Sequence, residues 1–111
     1  MKRKWYCLIY TNILARNVQA MAVFPFILIK KKTILSKVIL NHEQIHLRQQ
    51  LEMLIVPFYV LYLIEYLVRF IQLKNHDRAY RSISFEREAY ANDRNLDYLI
   101  DRKFWAWIRY L

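Results

Sequence analysis

Asn41-His42-Glu43-Gln44-Ile45-His46 is the stretch that decides how the rest of this chain is read. Ser36 supplies an N-cap for a helix starting near Lys37, and Leu40, Leu47, Leu51 and Leu54 recur at helical spacing as its expected buried stripe. On such a helix positions i and i+4 lie about 40° apart around the axis, so His42 and His46 can reach one metal ion. Glu43 projects toward the same side, where a carboxylate can take a proton from a metal-activated water and pass it to a leaving amine. Projected around the axis, these three residues flank the leucine stripe, while Lys37, Gln44 and Arg48 fall opposite. The motif is therefore expected to face inward, where histidines and a carboxylate need a partner that a metal would supply. The plainer alternative is two polar histidines on a half-exposed helix.

Composition bounds the scaffold. At 111 residues the chain is expected to be a single domain, 1–111, with one core and no room for a separate substrate domain. Lys and Arg exceed Asp and Glu by nine, and more than half of the residues are hydrophobic, with nine tyrosines. Basic and greasy together point to an anionic partner surface, either nucleic acid or the cytoplasmic leaflet of a membrane. No nucleic-acid recognition motif is present, so nucleic acid is the less favoured partner. The absence of glycine excludes a glycine-rich nucleotide loop. The one cysteine, Cys7, cannot form an internal disulfide and fits a reducing compartment, so an intracellular location is expected, membrane-associated on the cytoplasmic side. A thiolate metal site is excluded.

Along the chain, the basic start Met1-Lys2-Arg3-Lys4 resembles that of a signal sequence but no good cleavage site follows. Asn12, Arg16, Asn17 and Gln19 interrupt the apolar run after it, and a short helix is expected there. Val23 to Ile29, aromatic and β-branched, reads as a strand that Pro25 restricts to an edge, open to pairing with an extended peptide. Lys30-Lys31-Lys32 marks a solvated turn or headgroup contacts. Pro57 ends or kinks the motif helix, and Phe58 to Leu73 forms another, with Glu65 and Arg69 in the favourable i, i+4 order. This second helix suits a buried core or a membrane surface equally. Lys74 to Arg78 is a polar break in which His76 is most simply solvated, with a metal-ligand or charge-stabilising role as the sharper option. Ser84 reads as the N-cap of a helix whose apolar side, Phe85, Ala89, Leu96, Leu99 and Ile100, continues toward Trp105 and Trp107. The tail from Arg102 to Leu111 alternates basic and aromatic residues, as an interfacial segment or a packed terminal helix would.

A catalytic zinc site takes three protein ligands and leaves a position for water. Glu86 and Glu88 are the candidates for the third. Two positions on a helix are about 200° apart, so at most one faces the metal. HExxH followed, one hydrophobic segment later, by Glu-x-x-Ala resembles the gluzincin metallopeptidases, in particular the membrane-associated branches that include the CAAX prenyl-protein proteases and the β-lactam-sensor peptidases. The resemblance runs from about Ile39 to Asp93. It implies a mainly α fold with a minimal zincin-like core: a motif helix, a hydrophobic helix, a glutamate helix and a short edge strand. It also implies zinc held by His42, His46 and Glu86, with Glu43 as general base acting on a peptide or protein substrate. Its alanine spacing favours Glu86; the register starting at Glu88 would instead put Asn92 in the supporting position. In the Glu86 register Tyr90 stands where the family has an aspartate that orients a ligand histidine, and Gln49 also occurs in some relatives. That departure leaves a second expectation open, a non-catalytic zinc-binding adaptor at a membrane surface. Tyr80, Tyr90 and His76 are the candidates to stabilise an oxyanion.

Overall fold

A computed structural model describes residues 5–14 and 18–111; the basic start and the interrupting residues Arg16 and Asn17 lie outside these. The fold is mainly helical with one small sheet. Three strands, β1 (Cys7–Thr11), β2 (Ala20–Val23) and β3 (Phe26–Lys30), precede five helices: α1 (Lys37–Glu52), α2 (Val56–Leu73), α3 (His76–Ser82), α4 (Ser84–Asn92) and α5 (Tyr98–Asp101). A 3-10 turn, Ala106–Tyr110, closes the chain.

The amino-terminal segment corrects the sequence expectation, because strands stand where a short helix was expected. Tyr6 and Leu8 pack toward the sheet's core while Cys7 and Ile9 face out, a period of two that only an extended chain presents. A second correction concerns the edge. β3 is the central strand, parallel to β1 and antiparallel to β2, so Phe26 to Ile29 has no free edge for a peptide. Pro25 sits in the β2–β3 turn, where its missing N–H removes nothing from the ladder. Ile27 and Ile29 point to one face and pack with Ala22 under Leu47 of α1.

Helix α1 begins as expected: Ser36 Oγ accepts from the Ile39 amide at 3.1 Å. Its buried face holds only half of the leucine stripe: Leu47 is in the core and Leu40 packs against it, but Leu51 and Leu54 are 42% and 80% exposed, and Asn41, His42, Glu43, His46, Gln49, Gln50 and Glu52 are buried. The chain then reverses through Leu54 and Ile55, at φ 59° and 69°, a conformation that costs non-glycine residues about 1–3 kcal/mol each and must be held by surrounding contacts. Ile55 N–H donating to Gln50 C=O at 2.7 Å is one such contact. Pro57 occupies the first turn of α2, where no N–H is needed.

Helix α2 is built inside out. Phe58, Tyr59, Tyr62 and Tyr66 pack inward with Met53, Ile83, Phe85 and Trp107, and from residue 60 to 71 every exposed position is apolar, Leu61, Ile64, Val68 and Ile71 among them. Glu65 also turns inward. It takes the backbone N–H of Ser84 at 2.9 Å and its hydroxyl at 2.7 Å, while Arg69 donates to Gln72. Glu65 therefore caps α4, and Ser84, expected as that cap, is the first helical residue. The polar break shrinks to Lys74, at φ 52°, before Asn75 Oδ1 caps α3 by accepting from Arg78 N–H. Helix α4 ends at Asn92 and does not run on: Leu96 and Ile100 are exposed, and residues 93–97 turn back toward α1.

Candidate metal centre

The centre lies where α1 crosses α4. His42 and His46, one turn apart, direct their Nε2 atoms at each other (3.1 Å) and at Glu86 Oε1, which lies 3.1 Å from His42 and 3.0 Å from His46. All three residues are buried. The helix spacing creates the pair and the first turn of α4, fixed by Glu65 and by Phe85 packed under Trp107, delivers the carboxylate.

Hydrogen bonds at the far side of each ring decide what the near side can do. His42 Nδ1 is 3.1 Å from Asp93 Oδ2, and a carboxylate only accepts, so Nδ1 carries the proton. His46 Nδ1 is 2.8 Å from Gln49 Oε1, an oxygen identified by the other end of the amide, which donates to Phe85 C=O and Glu88 Oε1. Neutral imidazoles so held present two bare Nε2 lone pairs to a carboxylate oxygen. One proton in the triangle cannot satisfy three mutual contacts, whereas a cation can. Atoms about 3 Å apart leave room for an ion at the roughly 2.0–2.2 Å of zinc–nitrogen and zinc–oxygen bonds, so the donor set and its spacing fit a metal. His42, His46 and Glu86 can hold a metal ion.

The aspartate that the sequence placed at Tyr90 is supplied by Asp93. Asn41, next to His42, brings it there: its Nδ2 donates to the Asp93 and Asn95 carbonyls at 2.9 Å each and approaches that of Asn92 at 3.4 Å. Tyr90 instead lays its ring against that of His42, centroids 4.6 Å apart. Sequence reasoning missed Asn41 and Asp93; the available signal was the Asn92-Asp93 pair at the end of the glutamate helix. Glu88 is excluded as third ligand, because it faces Gln49, Tyr98 and Arg102.

Charge in the centre is set by burial against close partners. Burial opposes ionisation of Glu86, but His46 and His42 outweigh it and hold its carboxyl well below the ordinary range. Burial likewise opposes a charged His46; with no metal bound, Glu86 overcomes that and lifts it to about 9. Glu43 is also buried, and desolvation raises it above the usual carboxylate value despite His46 and His42 nearby and a hydrogen bond from the Ala22 backbone. Tyr62 donates to Glu86 Oε2 at 2.6 Å. Burial, then the charge of Glu86, keeps the Tyr62 and Tyr80 hydroxyls protonated. His76 lies elsewhere, exposed, with Nδ1 2.7 Å from Tyr66 Oη.

Compared with protein-family models, curated proteins and solved structures, the chain finds no match.

Proposed function

We propose that this chain is a small zinc metallopeptidase of gluzincin type. The observation that carries the reading is the pair of Nδ1-anchored histidines aiming Nε2 at Glu86 with Glu43 buried beside them. His42, His46 and Glu86 would hold the ion, and bound zinc supplies a water whose pKa falls to about 7. Glu43 would take the proton from that water and return it to the leaving amine. Its desolvated setting suits the first half of this task, since a carboxylate whose pKa is raised by burial accepts a proton more readily than an ordinary one. Tyr80, whose hydroxyl is kept protonated by burial and the charge of Glu86 and whose ring meets that of Tyr90, would be the donor for the developing oxyanion. The peptide is not paired to β3, which has neighbours on both sides. The adaptor reading drew its support from a missing histidine-orienting aspartate, and Asp93 removes that support.

The partner surface in this reading is an anionic membrane. Among the described residues α2 alone is long and apolar enough to cross a bilayer, and its exposed positions from residue 60 to 71 are all apolar, with the half-exposed Arg69 beside them. The excess of nine positive charges adds attraction to acidic headgroups. Flotation with phosphatidylserine vesicles tests this part; protein left at the bottom of the gradient would refute it.

The catalytic part is tested with a quenched-fluorescent peptide library. The zinc-loaded protein is expected to cleave it, and Glu43→Gln to retain zinc while losing about 10²–10⁴-fold in rate. Zinc-loaded protein that leaves the library intact, or Glu43→Gln at full rate, would overturn the reading.

A further inference from the structure

Behind His46 lies a chain of buried polar contacts that no step of the proposed hydrolysis uses. Gln49 is fully buried. Its Nε2 donates to Phe85 C=O at 3.0 Å and to Glu88 Oε1 at 2.9 Å. Glu88, also fully buried, takes three further donors: Tyr98 Oη at 2.6 Å onto Oε2, Arg102 Nε onto Oε2, and Arg102 Nη2 at 3.0 Å onto Oε1. The same guanidinium forks onto Glu52, Nη1 to Oε2 at 2.6 Å and Nη2 to Oε1 at 3.0 Å, and Glu52 also accepts the Trp105 N–H. A segment more than fifty positions along the chain is thereby wired to the back of a metal-binding histidine.

An amide presents one donor end and one acceptor end, and its neighbours choose which way it points. Glu88 and the Phe85 carbonyl can only accept from Gln49. They fix its oxygen toward His46 Nδ1, and an Nδ1 facing an oxygen must carry the hydrogen. Nε2 is then the bare nitrogen. Reversing the amide would turn its NH₂ toward Nδ1 and transfer the ring hydrogen to Nε2, where it blocks coordination.

We infer that Glu88, oriented by Arg102, is a positioning residue of the metal centre: by dictating the direction of the Gln49 amide it selects the His46 tautomer that offers Nε2 to a metal. The inference rests on the metal reading for its consequence but not for its test. A glutamine at position 88 can offer hydrogens of its own to Gln49, opposing Phe85, while keeping an oxygen for Arg102.

The experiment pairs zinc titration against a chromophoric chelator with ¹⁵N imidazole spectra, the apoprotein being recorded at alkaline pH where the rings are neutral. In the wild type His46 is expected as the Nδ1–H tautomer. Glu88→Gln should shift it toward Nε2–H and weaken zinc binding about 10–100-fold, the range for losing a group that orients a metal ligand. Tyr98→Phe should change neither readout, since it deletes a donor to Glu88 without giving that position a hydrogen to donate. Arg102→Lys, which keeps the charge but loses the fork, should fall between Glu88→Gln and wild type. A folded Glu88→Gln protein with wild-type affinity and tautomer would overturn the inference and leave the metal reading standing. Should Glu88→Gln not fold, the wild-type spectrum decides: Nδ1–H supports the inference and Nε2–H overturns it. A wild type that binds no zinc defeats the metal reading alone, because the apoprotein spectrum still reports the tautomer.

Discussion

Two buried polar clusters sit side by side between α1 and the segments that follow α2, and they are built on opposite principles. In one, Glu52 and Glu88 close around Arg102, so each carboxylate is ion-paired to the same guanidinium. In the other, His42, His46 and Glu86 converge with no arginine or lysine among them. The first cluster is finished by folding: one guanidinium pairs with both carboxylates, and Gln49, Tyr98 and the Trp105 N–H donate to their remaining oxygen lone pairs. In the second, with no metal bound, the charge of Glu86 is met by a proton on His46, which a metal ion would have to displace. The same helix faces, and glutamates only two positions apart, thus build an internal ion-pair cluster in one case and a group that could hold a metal ion in the other. What separates them, among the described residues, is that a guanidinium closes the first and two histidines face the carboxylate in the second.

The comparison breaks most severely at Arg102. Arg102→Leu leaves two buried carboxylates unpaired and should cost about 3–5 kcal/mol in a denaturant titration, enough to threaten folding. A loss below about 1 kcal/mol would show that the cluster is solvated. No comparable stability loss is expected in the apoprotein from His42→Ala, which deletes a ligand but strands no charge of the first cluster.

A pH series separates the clusters next. Without metal, His46 is raised from 6.5 to about 9, so its contribution is fully present below pH 6.5 and disappears as pH rises to 9, on the order of 3 kcal/mol. Zinc must displace that proton. Its apparent affinity should therefore strengthen with rising pH up to about 9, and saturation at about 100 times Kd should add roughly 2.7 kcal/mol. Thermal melts with and without zinc at pH 6 and 9 check both signs; a metal-free protein more stable at pH 9 than at pH 6 would contradict the assignment.

Smaller effects test the supports. Asp93→Asn should weaken zinc binding about 10–100-fold with little change in apoprotein stability, as measured by chelator competition. Glu65→Ala, which removes the cap of α4 but touches neither cluster, should cost about 1 kcal/mol in denaturant.

Much of the centre was legible because it depends on local spacing. The i, i+4 histidines, the Ser36 cap and the Pro57 boundary follow from rules that act within a few residues, and Glu86 followed from the alanine spacing of a known pattern. What escaped depends on distance. Asp93 reaches His42 only because α4 stops at Asn92 and Asn41 captures the turn beyond it. Arg102, read as part of a tail that suits an interfacial segment or a packed terminal helix equally, is buried by partners 14 and 50 positions away. The leucine stripe held at Leu40 and Leu47 and misled at Leu51 and Leu54 for a related reason: α1 also buries polar residues, whose partners supply what burial removes, while those two leucines lie exposed at its end. Pro25 signalled a break in the ladder correctly, but the break falls in a turn, which left β3 free to become the central strand.

The most direct measurement is metal content by mass spectrometry after zinc loading and gel filtration. One zinc per chain is expected for the wild type and for Glu43→Gln, and loss of the ion for His46→Ala. A wild type without stoichiometric zinc, or a His46→Ala protein that retains it equally, would contradict the assignment of His42, His46 and Glu86 as a metal centre.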